Sequence, residues 1–70
     1  MYTRKSIETH KGRLIELSFV DKEGRFHKSV GKIYETGDLV MIFEVNKDDH
    51  YISMPYKNIL DINKPEKVNI

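Results

Sequence analysis

Apolar and polar residues alternate with a period of two over most of the chain, the signature of strands buried on one face. In RLIELSFV, residues 13 to 20, Ile15, Leu17 and Phe19 fall on one side and Glu16 and Ser18 on the other, which predicts a first strand. It runs into VDKEGRF, where Asp21 can accept hydrogen bonds from a turn, Lys22 and Glu23 suit its two central positions, and Gly24 suits a left-handed residue. That order predicts a tight antiparallel hairpin built on a type I turn with a G1 bulge. The returning strand, RFHKSVGKIYE, places Phe26 and Val30 on one face and Ile33 on the other. Gly31 breaks its alternation and predicts a bulge or sharp bend, the device that curls one sheet back over itself. A turn at ETGD, residues 35 to 38, leads to LVMIFEV, apolar on both faces through Ile42, which predicts the most buried and central strand. Polar NKDDH, residues 46 to 50, then connects to YISM.

Pro55 interrupts HYISMPYKNILDIN, one of the most apolar stretches of the chain. Proline has no N–H for a ladder and stops a central strand. MPYKN therefore predicts a short turn between two strands, with Ile52, Ile59 and Ile62 in the core and NILDI as the last strand. Residues 1 to 11 carry only Tyr2 and Ile7 as large apolar groups and read either as a short N-terminal helix or as an extra edge strand. The organisation expected is an N-terminal segment over 1–11, a β-barrel domain over 12–62 and a flexible tail over 63–70. Five strands in about 50 residues predict an all-β domain, a small five-stranded SH3-like or Sm-like barrel, since a sandwich usually needs about 100. The competing arrangement is a single five-stranded open sheet, disfavoured because it would leave one face of LVMIFEV, residues 39–45, exposed.

A chain of 70 residues is one domain, and at that size only about 60 % of the unfolded chain's surface is buried on folding. It has no cysteine, so neither disulfides nor thiolate zinc can reinforce the core, and a partner or homo-oligomer interface is an expected source of stability. No apolar run approaches the roughly 20 residues that span a bilayer. The apolar segment of a signal peptide does not follow Arg4 and Lys5, so the expectation is a cytoplasmic protein without membrane association. Net charge is only +1, yet residues 1–34 carry +4 and residues 35–70 carry −3, an asymmetry that a folded chain can turn into one basic and one acidic face.

Chemistry-bearing groups are sparse. His10, His27 and His50 fall in different predicted elements, without triad or ligand spacing. Asp48-Asp49-His50 reads as a solvated loop tip, and the four glycines form no phosphate-cradling cluster. The reading is a non-enzymatic domain with no catalytic residue, metal or cofactor. Two binding surfaces stand out instead. Tyr51, Met54, Tyr56, Lys57 and Asn58 surround the proline turn and suggest a protein partner, because tyrosine and methionine favour interface cores; the same residues could equally close the barrel end. Lys11, Arg13, Arg25, Lys28 and Lys32 would lie side by side across the first hairpin as a basic stripe for RNA or DNA. Phe26, Tyr34, Tyr51 or Tyr56 would offer bases a stacking surface, unless Phe26 belongs to the core and the lysines pair with Glu16 and Glu35.

ISMPYKNILDI resembles the ending of YolD-like domains, where an apolar residue, proline and an aromatic precede an isoleucine-rich last strand. The hairpin at Asp21 to Gly24 and Gly31-Lys32-Ile33 extend that resemblance over about residues 12–62. It implies a small bacterial or phage accessory protein linked to DNA-damage responses, with a protein partner. Gly24, Gly31-Lys32-Ile33, Asp38 and Tyr56-Lys57 are also similar to the signatures of Sm-like RNA-binding proteins, the Hfq-type RNA chaperone among them. That resemblance implies ring assembly and RNA binding. The chain departs from it where Asn58 replaces a histidine and where Leu39, Val40 and Met41 follow Asp38 in place of an Asp-x-x-Asn element.

Overall fold

The computed structural model describes residues 1–46 and 50–65. Most of the predicted tail, and Lys47, Asp48 and Asp49 of the predicted NKDDH connection, lie outside them. A short helix α1 (Arg4–Glu8) precedes β1 (Ile15–Val20), β2 (Phe26–Thr36), β3 (Val40–Val45), β4 (His50–Pro55), a 3₁₀ turn (Tyr56–Asn58) and β5 (Ile59–Asn63). The five strands form one antiparallel sheet in the order β4-β3-β2-β1-β5, so this is an all-β domain whose barrel-like sheet stays open between β4 and β5. Among the described residues no helix is long and apolar enough to cross a membrane.

The first hairpin forms as the turn residues dictate. Gly24 takes a φ of +79° and its N–H donates to Asp21 O at 3.0 Å. Asp21 Oδ1 accepts the N–H groups of Glu23 and Arg25, each at 2.9 Å, while Oδ2 lies 2.8 Å from His27 Nε2. The His27 ring in turn stacks on Phe19, 5.3 Å between centroids. These bonds favour the ionised carboxylate, His27 foremost and then the Arg25 N–H, and hold Asp21 below the ordinary carboxylate range. Asp61 is lowered as well, chiefly by the Asn63 amide. Because the folded chain binds these protons less readily than the unfolded chain, their stabilisation is complete above the ordinary carboxylate value and is lost as pH falls from there through the lower folded-state value. Thermal melts from pH 6 downward should therefore lose stability below about pH 4, and Asp21→Asn should flatten that loss. An unchanged acid slope in the variant would rule the hairpin carboxylate out as its source.

β2, not β3, is the central strand. It pairs with β1 through residues 26–31 and with β3 through residues 31–36, and Gly31 belongs to both ladders. The predicted bulge at Gly31 is displaced to Ile33–Glu35, where the register shifts. Gly31 instead permits a close approach: a Cβ there would run into the Glu44 backbone carbonyl and the Phe43 ring. β3 sends Met41 and Phe43 inward, while Ile42 is half-buried and Val40 exposed on the outer face, so it is not the most buried strand. β2 also runs on through Thr36, two residues into the predicted ETGD turn, which closes with Gly37 N–H donating to Val40 O at 2.8 Å.

The core lies on the concave side and comprises Ile15, Leu17, Ile33, Met41, Phe43, Met54, Tyr56 and Ile59, with Ile7 of α1 among them at 0 % exposure. Of the predicted core isoleucines, Ile59 is buried and Ile52 and Ile62 are half-buried against it. The undecided N-terminal segment is a helix because Thr3 and Ser6 form a capping box, each side chain accepting the other's backbone N–H. Glu8 Oε2 accepts the hydroxyl of buried Thr36 at 2.9 Å, which fixes the helix over the end of β2.

Candidate binding site

The proline turn is bolted to the β2–β3 turn. Pro55, at φ −64° and ψ 137°, ends β4 in extended geometry and hands the chain to the 3₁₀ turn. Tyr56 then donates twice, from its N–H to Leu39 O at 3.0 Å and from its hydroxyl to Gly37 O at 2.7 Å. Burial pushes its hydroxyl pKa up, with the Glu8 and Asp38 carboxylates adding to the shift and the Arg4 guanidinium opposing it. A third wall is the N-terminal segment, where Arg4 Nη1 reaches Asp38 Oδ1 at 3.0 Å and Arg4 Nε lies 3.9 Å from Glu8 Oε2.

Between these three segments runs an open groove of about 530 Å³, lined by residues 1–4, Asp38, Leu39, Val40, Pro55, Tyr56 and Lys57. Its size falls in the range of ordinary ligand clefts. Leu39 is 79 % exposed there, next to exposed Val40 and Met1. Sequence reasoning missed Leu39 and Val40 as surface groups by reading them as part of a strand buried on both faces. The usable signal was surplus: an open sheet covers only one face, so an apolar run with no alternation must leave part of itself in water.

The residues predicted around the proline turn do not share one surface. Tyr51 lies on the outer face of the sheet, packed edge-on against Tyr34 at 5.0 Å, its hydroxyl on Glu44 Oε2 at 3.2 Å. Met54 and Tyr56 are core residues, which corrects the expectation that Tyr56 is displayed at a binding edge; only its rim reaches the groove. Lys57 is exposed on the groove wall and Asn58 is half-buried beside it.

The five basic residues are likewise divided. Lys28 and Lys32 share the outer face, the first 3.9 Å from Glu16 and the second opposite Glu44 in register. Arg25 sits by the hairpin turn next to Phe26, which is 59 % exposed rather than core. Lys11 and Arg13 precede β1 at its other end. Arg13 and the hairpin turn lie about 26 Å apart at strand spacing, with Lys28 and Lys32 along β2 between them, so the five residues are spread over the length of the hairpin rather than gathered at one point. No protein-family model matches the chain, and no curated protein or solved structure matches it either.

Proposed function

We propose that this chain is a non-enzymatic binding module that takes a protein partner in the groove beside the proline turn. The observation that carries the reading is the placement of Leu39 and Val40: two neighbouring apolar side chains in water, at a cleft whose walls are held by the Tyr56 and Arg4 contacts. A rigid wall with exposed apolar groups binds at low cost in ordering. Leu39→Glu is the direct test. Its side chain is largely solvated, so folding stability should change by no more than about 0.5 kcal/mol. Affinity capture from the source cell should lose a protein that the parent chain retains. Identical capture profiles from both chains would overturn the reading.

Nucleic-acid binding is the second reading, favoured by the exposure of Phe26 between Arg25 and Lys28 at the hairpin end. An aromatic face flanked by cations is the arrangement that stacks a base and holds its phosphates. On this reading single-stranded RNA or DNA binds at low salt and is released between about 50 and 200 mM salt, and Phe26→Ala weakens it at every salt concentration. Absence of binding at low salt would dispose of it.

A further inference from the structure

We infer that the occupant of the groove is a second copy of this chain, docked about a two-fold axis so that Leu39 of each copy enters the groove of the other and Asp38 of each meets Lys57 of the other. The inference rests on the groove reading and names the partner. Two-fold pairing needs a patch that carries both halves of every contact, because residue i meets j while j meets i. This patch does. Val40 pairs with Pro55 in the β3–β4 ladder, so the β2–β3 turn and the proline turn stand side by side. The first carries the projecting apolar group, Leu39, and the groove beside it is the apolar recess that receives such a group. An axis between the two turns lays each copy's β2–β3 turn on its partner's proline turn.

Charge follows the same division. Asp38 stands on the first turn, its side chain 91 % exposed although Arg4 donates to it at 3.0 Å. Lys57 stands on the second, exposed and with no ion pair among the described residues. One anion and one cation on opposite sides of the axis make two symmetric ion pairs in the dimer. Pairs at a rim set orientation more than they add affinity, and burial of Leu39 supplies the affinity. Oligomerisation is also one of the few staples open to a domain of 70 residues without a cysteine. The groove and its rim are smaller than the roughly 20–30 residues a side of a standard interface, so the dimer should form and dissociate with concentration.

Analytical ultracentrifugation of the full chain tests this between about 1 μM and 1 mM, the range over which weak complexes dissociate. The mass should rise from the 8.3 kDa of one chain to twice that value and stop there. Leu39→Glu should weaken the dimer at least tenfold. Asp38→Lys and Lys57→Glu should each do the same, since either change sets like charges against each other at both symmetric contacts. An equimolar mixture of those two variants should dimerise as tightly as the parent, because one copy then presents two cations and the other two anions. Asp38→Lys leaves α1 held by the Glu8–Thr36 bond and by buried Ile7, and rescue on mixing shows both variants to be folded. A chain that stays monomeric, an assembly larger than two, a dimer untouched by Leu39→Glu or a mixture no tighter than its components overturns the inference. Affinity capture separates this from the groove reading. A monomeric chain whose Leu39→Glu variant loses a captured protein of different sequence keeps the groove and loses the second copy; a monomeric chain with identical capture profiles loses both.

Discussion

Gly31→Val should leave the chain unfolded at 25 °C, and Gly31→Ala should cost at least about 3 kcal/mol, the upper end of ordinary overpacking. The reason is the double role of the residue. Gly31 pairs with Ile15 on one side and Val45 on the other, so the backbone at this point is fixed by both ladders. The space a Cβ would take is held by the Glu44 carbonyl and the fully buried Phe43 ring. Phe43 cannot yield without opening the core, and the carbonyl cannot yield without breaking the β2–β3 ladder. A domain of this size has few kcal/mol in hand, and the alanine variant should melt some 15 °C lower at about 4–8 °C per kcal/mol. Gly24→Ala supplies the comparison: its φ of +79° strains any side chain, but a Cβ there meets open solvent. That strain is worth about 1 kcal/mol. Urea titrations of the two variants should rank accordingly, and a Gly31→Ala as mild as Gly24→Ala would show that the core at Phe43 is slack.

Which features of this chain are legible in its sequence depends on whether their cause is local. The hairpin is legible because Asp21, Gly24 and the strands beside them carry all of its determinants within a few residues. The proline turn is legible for the same reason, since Pro55 cannot continue a strand whatever surrounds it. Gly31 shows the limit. Its sequence signature, a glycine inside an alternating pattern, is common to a bulge and to a close backbone approach, and the choice is made by Phe43, twelve residues away and across a ladder. Ile7 shows it again: one isoleucine in a polar segment says nothing of a core until the sheet leaves a hole at its end for that side chain to fill. The candidate site divides along the same line. Lys57 follows directly from the turn, whereas the exposure of Leu39 follows from the open sheet order, a global property that periodicity does not carry.

Tyr56→Ala should destabilise the fold by about 4 kcal/mol, the cost of truncating a buried aromatic, although a tyrosine beside an exposed lysine invites the reading of a surface contact. At 6 % exposure the ring is part of the core, and its hydroxyl is satisfied by Gly37 O rather than by water. Tyr56→Phe should keep the packing and lose only that bond, about 1 kcal/mol, a cost raised somewhat by leaving the Gly37 carbonyl without its partner. The two variants therefore partition the residue into packing and hydrogen bond, read as urea midpoints at unchanged slope. Alkaline pH supplies an independent check. Because burial raises the hydroxyl pKa, the folded chain holds its proton above the pH at which the unfolded chain releases it. Stability from this group is therefore complete below about pH 10 and falls as pH rises beyond it, and Tyr56→Phe should lack that component. Should Tyr56→Ala fold as stably as the parent chain, the proline turn would not be bolted to the β2–β3 turn, and a groove with fixed walls would lose its foundation. Should it behave as expected, any loss of binding in that variant reports a collapsed wall, and only Leu39→Glu and Lys57→Glu, which alter exposed side chains on an intact frame, report on the contact itself.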